Sequence, residues 1–125
     1  MLVLMFVELV VLAGCTGIGV TRDETESKIG FDLSRLNNDG LQGPTDGLRA
    51  LHYEFCIPAD ETFAEEVQRI DSTCQVMKSA NGRVRCGQDE YLCLGNTHQT
   101  DFRSVLMRLA ELEYVGQIEE SFFEN

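Results

Sequence analysis

Residues 48–125 of this 125-residue chain predict an α+β fold. Three observations carry that expectation. A run with strict two-residue alternation opens the segment. Two later stretches carry an apolar stripe at helical spacing. Short strand-like segments lie between and after them, bounded by turn formers.

The elements follow in order. In "LRALHYEFCIP", Leu51, Tyr53, Phe55 and Ile57 share one face, and His52, Glu54 and Cys56 share the other, the mark of a half-buried strand that Pro58 ends. "ADETFAEEVQRI" predicts a helix, with Asp60 as N-cap, acids in the first turn and Phe63, Val67 and Ile70 as its stripe. "CQVMK" is a short strand, and "SANG" a turn from which "RVRC" returns as the second arm of a hairpin. "YLCLG" is a stronger strand. "THQTDFRSVLMRLAELE" predicts a second helix, capped by Thr100 or Asp101 and lined by Phe102, Val105, Leu106, Leu109 and Leu112. "YVGQIEESFFE" closes as a strand. This β-α-β-β-α-β order is the ferredoxin-like split βαβ pattern. It implies one antiparallel sheet, order 4-1-3-2, with both helices on one face.

The amino-terminal segment is different. "MLVLMFVELVVLAGCTG" holds an apolar run too short for a bilayer span, which needs about 20 residues. A buried strand is one reading of it. Gly14, Gly17 and Gly19 form G-x-x-G-x-G, which is not the dinucleotide fingerprint, and no helical apolar face follows in "VTRDETESK". An apolar stretch ending in small residues is the form of a secretory signal. Leu12-Ala13-Gly14-Cys15 resembles the lipobox of bacterial lipoproteins. The resemblance implies a signal peptide at 1–14, cleavage before Cys15, and acylation of its thiol and of the new amino terminus. Acyl chains contribute about 0.8 kcal/mol per buried CH₂, so several give a stable anchor. Thr16 is not the Asp that favours inner-membrane retention, so the resemblance points to the outer membrane, facing the periplasm.

Residues 15–47 are rich in turn formers and show no period, so they read as the lipidated amino terminus and a flexible tether, with Phe31, Leu33 and Leu36 able to dock on the domain. A free chain of that length reaches on the order of 30 Å. "DLSRLNNDG" fails as a calcium loop, because Gly40 at position 6 puts Arg35 at position 1.

With Cys15 lipidated, four cysteines remain, an even number that fits two disulfides in a small exported domain. The expected strand ends favour Cys56–Cys86 and Cys74–Cys93. No C-x-x-C occurs, which argues against zinc-ribbon and thioredoxin-like chemistry. His52 and His98 are the only histidines and sit at no catalytic spacing. Together with Arg83 and Arg85, beside the expected hairpin, they are the ligand-binding candidates. No metal set, cofactor motif or catalytic group is legible. The net charge of −11 opposes nucleic-acid binding, which needs clustered Lys and Arg. The sequence therefore points to a lipid-anchored cell-envelope protein, with a small disulfide-stabilised domain that binds a ligand, peptide or envelope protein. The alternative is a metal-handling or thiol-dependent domain using Cys56, His52 and His98.

Overall fold

The computed structural model describes residues 22–122. They form an α+β domain with antiparallel sheets, three α-helices and one short 3-10 helix. The amino-terminal part contributes α1 (Arg22–Ser27), the 3-10 helix Leu33–Arg35, and a two-stranded ribbon of β1 (Leu41–Gln42) and β2 (Arg49–Ala50). The remainder runs β3 (His52–Pro58), α2 (Glu61–Ile70), β4 (Gln75–Met77), β5 (Glu90–Asn96), α3 (Phe102–Glu111) and β6 (Glu119–Ser121). Its four strands pair in the spatial order β4-β5-β3-β6, every pair antiparallel.

Alternation in the sequence sets the inner face of the central strand. Leu51, Tyr53, Phe55 and Ile57 are buried, whereas His52 is exposed and Cys56 half-buried. Each buried aromatic or aliphatic side chain of this kind contributes roughly 1.5–3 kcal/mol. Cross-strand pairing sets Cys93 against Phe55 and Val76 against Cys93, extending that face. Helix α2 starts where Asp60, extended at the N-cap, accepts from the Thr62 backbone N–H at 2.8 Å. Its Ala64 and Val67 join the core. Helix α3 buries Phe102, Val105, Leu106, Leu109 and Ala110. Asp101 precedes it with φ 56 and makes no side-chain cap bond, so the helix starts from a left-handed residue rather than from a side-chain cap. One buried cluster joins both helices to the inner face of the sheet.

Residues 22–47, expected to be a tether, are folded onto the domain. Helix α1 packs against α3. Ile29 forms a parallel bridge with Ile118, closed by Gly30 N–H to the Ile118 carbonyl at 2.8 Å and Ile118 N–H to the Lys28 carbonyl at 2.7 Å. Phe31 and Leu33 pack on the core and Leu36 is buried in it. These apolar residues dock singly, each on its own local geometry, so no period marks them. Gly40 fixes the approach of this segment. Its φ is +77, and a Cβ there would stand 1.8 Å from the Thr97 carbonyl oxygen.

The expected hairpin arm "RVRC" is not a strand. Residues 78–89 form a loop of successive turns, with φ 68 at Gly82 and 61 at Arg85, values no extended strand accommodates. The loop folds back over the outer face of the sheet. Glu54, buried on that face, accepts the backbone N–H groups of Arg83 and of Val84, the latter at 2.9 Å. A buried carboxylate without donors would be costly, and these N–H groups supply them. The Cys56–Cys86 disulfide fastens the same loop, with Cα atoms 5.5 Å apart. The expected Cys74–Cys93 bridge is not formed, and both are buried thiols. Cys93 stands opposite Val76, while Cys74 precedes β4, so the two cysteines meet diagonally and not as a directly opposed pair. Cys15 lies outside the described residues.

Candidate functional site

The region around β6 collects the most plausible ligand-facing groups. A cleft of about 480 Å³ runs between the β1-β2 ribbon and β6, walled by Arg35, Gln42, Arg49, His52, Glu120 and Phe122 among others. A second hollow of about 470 Å³ is lined by Arg83, Glu119, Glu120 and Phe122 among others. Glu120 and Phe122 belong to both, so the two hollows flank one lip. Volumes of this size suit small ligands.

The sequence builds the cleft from three directions. The 3-10 helix delivers Arg35 at its last position, its start held by Asp32, whose carboxylate accepts from the Ser34 N–H and hydroxyl. The ribbon pairs Gln42 with Arg49 across its two strands. The central sheet pairs His52 with Ser121 and Tyr53 with Glu120, setting β3 beside β6. Arg35 donates to the Gln42 side-chain oxygen from Nε at 3.1 Å and from Nη2 at 2.7 Å. Its two Nη groups each stand 3.5 Å from the Glu120 carboxylate. At 3.5 Å this contact is longer than the roughly 2.7–2.9 Å of a tight charge-assisted bond. Phe122 is 59 % exposed, and the Arg83 guanidinium lies 4.7 Å from its ring centre.

The cleft is cationic in an acidic protein. Arg35 and Arg49 line it, against the single acid Glu120, with His52 beside them. Such a surface can hold an anion by hydrogen bonds and charge.

Of the sequence-predicted ligand residues, His52 and Arg83 gather at the two sides of the Phe122 lip. Arg85 and His98 line neither hollow. Arg85 sits in the covering loop with its left-handed backbone, and exposed His98 donates its backbone N–H to the Asn96 side chain at 2.9 Å. Cys56, His52 and His98 do not form a common site. Cys56 and His52 share a face of β3 but lie four residues apart, about 13 Å along an extended strand. Among the described residues, Cys56, Cys86 and Glu90 form the group with metal-ligand reach, their ligand atoms within 4.8 Å of one another. The disulfide engages both sulfurs of that group.

Sequence reasoning missed Arg35 and Gln42, which come from the segment read as tether, and Arg49, at the start of the predicted domain. It also missed a buried polar cluster beneath α2. There the Tyr53 hydroxyl donates to Asp71 at 2.5 Å, and Gln99 Nε2 donates to Asp71 at 3.0 Å and to the Tyr53 oxygen at 3.2 Å. The Thr73 hydroxyl donates to Asp71 at 2.7 Å and accepts from the Asn96 N–H at 3.0 Å. Burial first, then the Asp71 charge and hydrogen bond, hold the Tyr53 phenol far above its ordinary range. The Cys93 thiol is likewise pushed up, first by its hydrogen bond with Cys74 and then by burial. Every described buried side-chain polar atom has a partner, so this cluster is structural.

No described helix is long and apolar enough to cross a membrane. No protein-family model, curated protein or solved structure matches the chain.

Proposed function

We propose that this chain is a lipid-anchored cell-envelope protein whose small disulfide-stapled domain binds a ligand or protein partner, no catalytic motif being legible in its sequence. The observation that carries the reading is the Cys56–Cys86 bond, which fastens a loop over an open sheet face. Such bonds persist in oxidising compartments and are rare in the cytosol. Leu12-Ala13-Gly14-Cys15 supplies the matching address, with Cys15 as the acylated residue and the outer membrane, facing the periplasm, as the destination. The bilayer, reached through the acyl chains, and an envelope protein, peptide or small ligand are the partners. The acidic balance argues against nucleic acid.

The fold reading that goes with it is the ferredoxin-like split βαβ arrangement. Counting β3 as the first of the four main strands, the sheet read from β6 runs fourth, first, third, second. Helices α2 and α3 touch each other and share one core with that sheet, which supports the same reading.

Fractionation tests the anchor. The protein expressed from its own start should partition with membranes, and Cys15→Ser should move it to the soluble fraction. A Cys15→Ser variant that still sediments with membranes would remove the lipoprotein reading.

A further inference from the structure

We infer that the cleft between the β1-β2 ribbon and β6 binds a carboxylate attached to an apolar body, with Arg35 as the principal donor; this rests on reading the domain as a binding module. The Arg35 guanidinium is preset for that role. Gln42 accepts from Nε and Nη2 and so fixes the plane of the group. Planar, bidentate recognition of a carboxylate is what a held guanidinium does best. The surface left to it faces the protein's own Glu120, with both Nη groups at 3.5 Å from the carboxylate. Glu120 thus marks where a carboxylate goes, without closing tightly on it.

Two further groups define the rest of the ligand. Arg49 adds a second cation, because the ribbon register sets it opposite Gln42. Phe122, more than half exposed, offers an aromatic wall at the cleft mouth. An aryl or branched apolar body bearing a carboxylate satisfies both the charge and the wall. A free aromatic acid and the terminal carboxylate of a peptide ending in an apolar residue present this same chemistry.

The test is a titration of the full chain, disulfide intact and in detergent, followed by the arginine Nε–Hε signals in nuclear magnetic resonance. Phenylacetate should shift the Arg35 and Arg49 signals to saturation, with a Kd on the order of 1 mM for so small a ligand. Phenylacetamide, its neutral counterpart, should leave them in place. Arg35→Ala and Arg35→Lys should each weaken phenylacetate by about tenfold, the lysine because it keeps the charge and loses the fork. Glu120→Gln should tighten it severalfold by removing the internal competitor. Arg108→Ala, on α3, should change nothing. A tripeptide ending in Phe, with free or amidated terminus, distinguishes the two sources: tighter binding of the free-terminus peptide than of phenylacetate assigns the site to chain ends, and the reverse to free acids. The inference is overturned if phenylacetamide shifts the signals as far as phenylacetate, if Arg35→Ala binds undiminished, or if inorganic phosphate binds as well as phenylacetate. Those failures would leave the membrane partition of the protein untouched, so they are separable from failure of the lipoprotein reading.

Discussion

Asp71 ties several elements of this domain together. It caps the carboxyl end of α2, where its N–H bonds the Val67 carbonyl at 2.8 Å, and its carboxylate gathers Tyr53, Thr73 and Gln99 from the elements around it. A charge at 0 % exposure is tolerable because donors surround it. The same cluster sets a pH limit. Tyr53 and Cys93 keep their protons in the folded state at pH values where the unfolded chain releases them. Their folded values lie above the unfolded ones, so their contribution is full below the unfolded values and is lost as pH rises. The loss begins near pH 8.5 for the thiol and near pH 10 for the phenol. Urea midpoints should therefore fall steadily from about pH 8.5 upward, and Cys93→Ala should flatten the first part of the fall. A midpoint constant to pH 10.5 would contradict this account of the core.

Among the elements, the loop over the outer face of the sheet is the one whose structure depends most on a covalent bond. In the chain-entropy relation, closing a loop of separation 30 with Cys56–Cys86 contributes about 3.6 kcal/mol. Replacing both cysteines by serine should lower stability by that amount and raise amide hydrogen exchange across residues 79–87. The inner face of β3 should exchange no faster below the unfolding midpoint. Fast exchange spreading to Phe55 would show that the disulfide holds the sheet itself. The strand β3 and both main helices were legible because each buries one face, and a face leaves a period of two or 3.6 residues. "RVRC" was misread because a turn signal does not tell whether the chain returns in a ladder, and Gly82 and Arg85 turn it out of extension. The docking of Phe31, Leu33 and Leu36 was legible, but the order of the rest of residues 22–47 was not, because Ile29 and Leu36 are buried, and Phe31 partly buried, each by a separate local contact that leaves no period. The site divides in the same way. His52 could be found as an exposed residue on an alternating strand. Arg35 and Arg49 could not, since only the tertiary placement of the 3-10 helix and the ribbon brings them to one cleft.

For the molecule as a whole, the folding of residues 22–47 bears on the proposed lipid anchor. A lipid at Cys15 leaves seven steps to Arg22, the first described residue, a span of at most about 25 Å. The domain would work close to the bilayer, not at the end of a long tether. A chain starting at Cys15 lacks Glu8 and carries 20 acids against 10 bases, a charge of −10 that anionic headgroups would repel. Anchor and staple belong to one claim, that the protein is exported, lipidated and oxidised. The intact mass of the protein extracted from its own membranes, recorded without reductant, tests both at once. The account predicts a chain starting at Cys15, heavier by a diacylglyceryl group and an amide-linked acyl chain, and lighter by the hydrogens of one disulfide. An unacylated chain starting at Met1 with all its thiols reduced would contradict it.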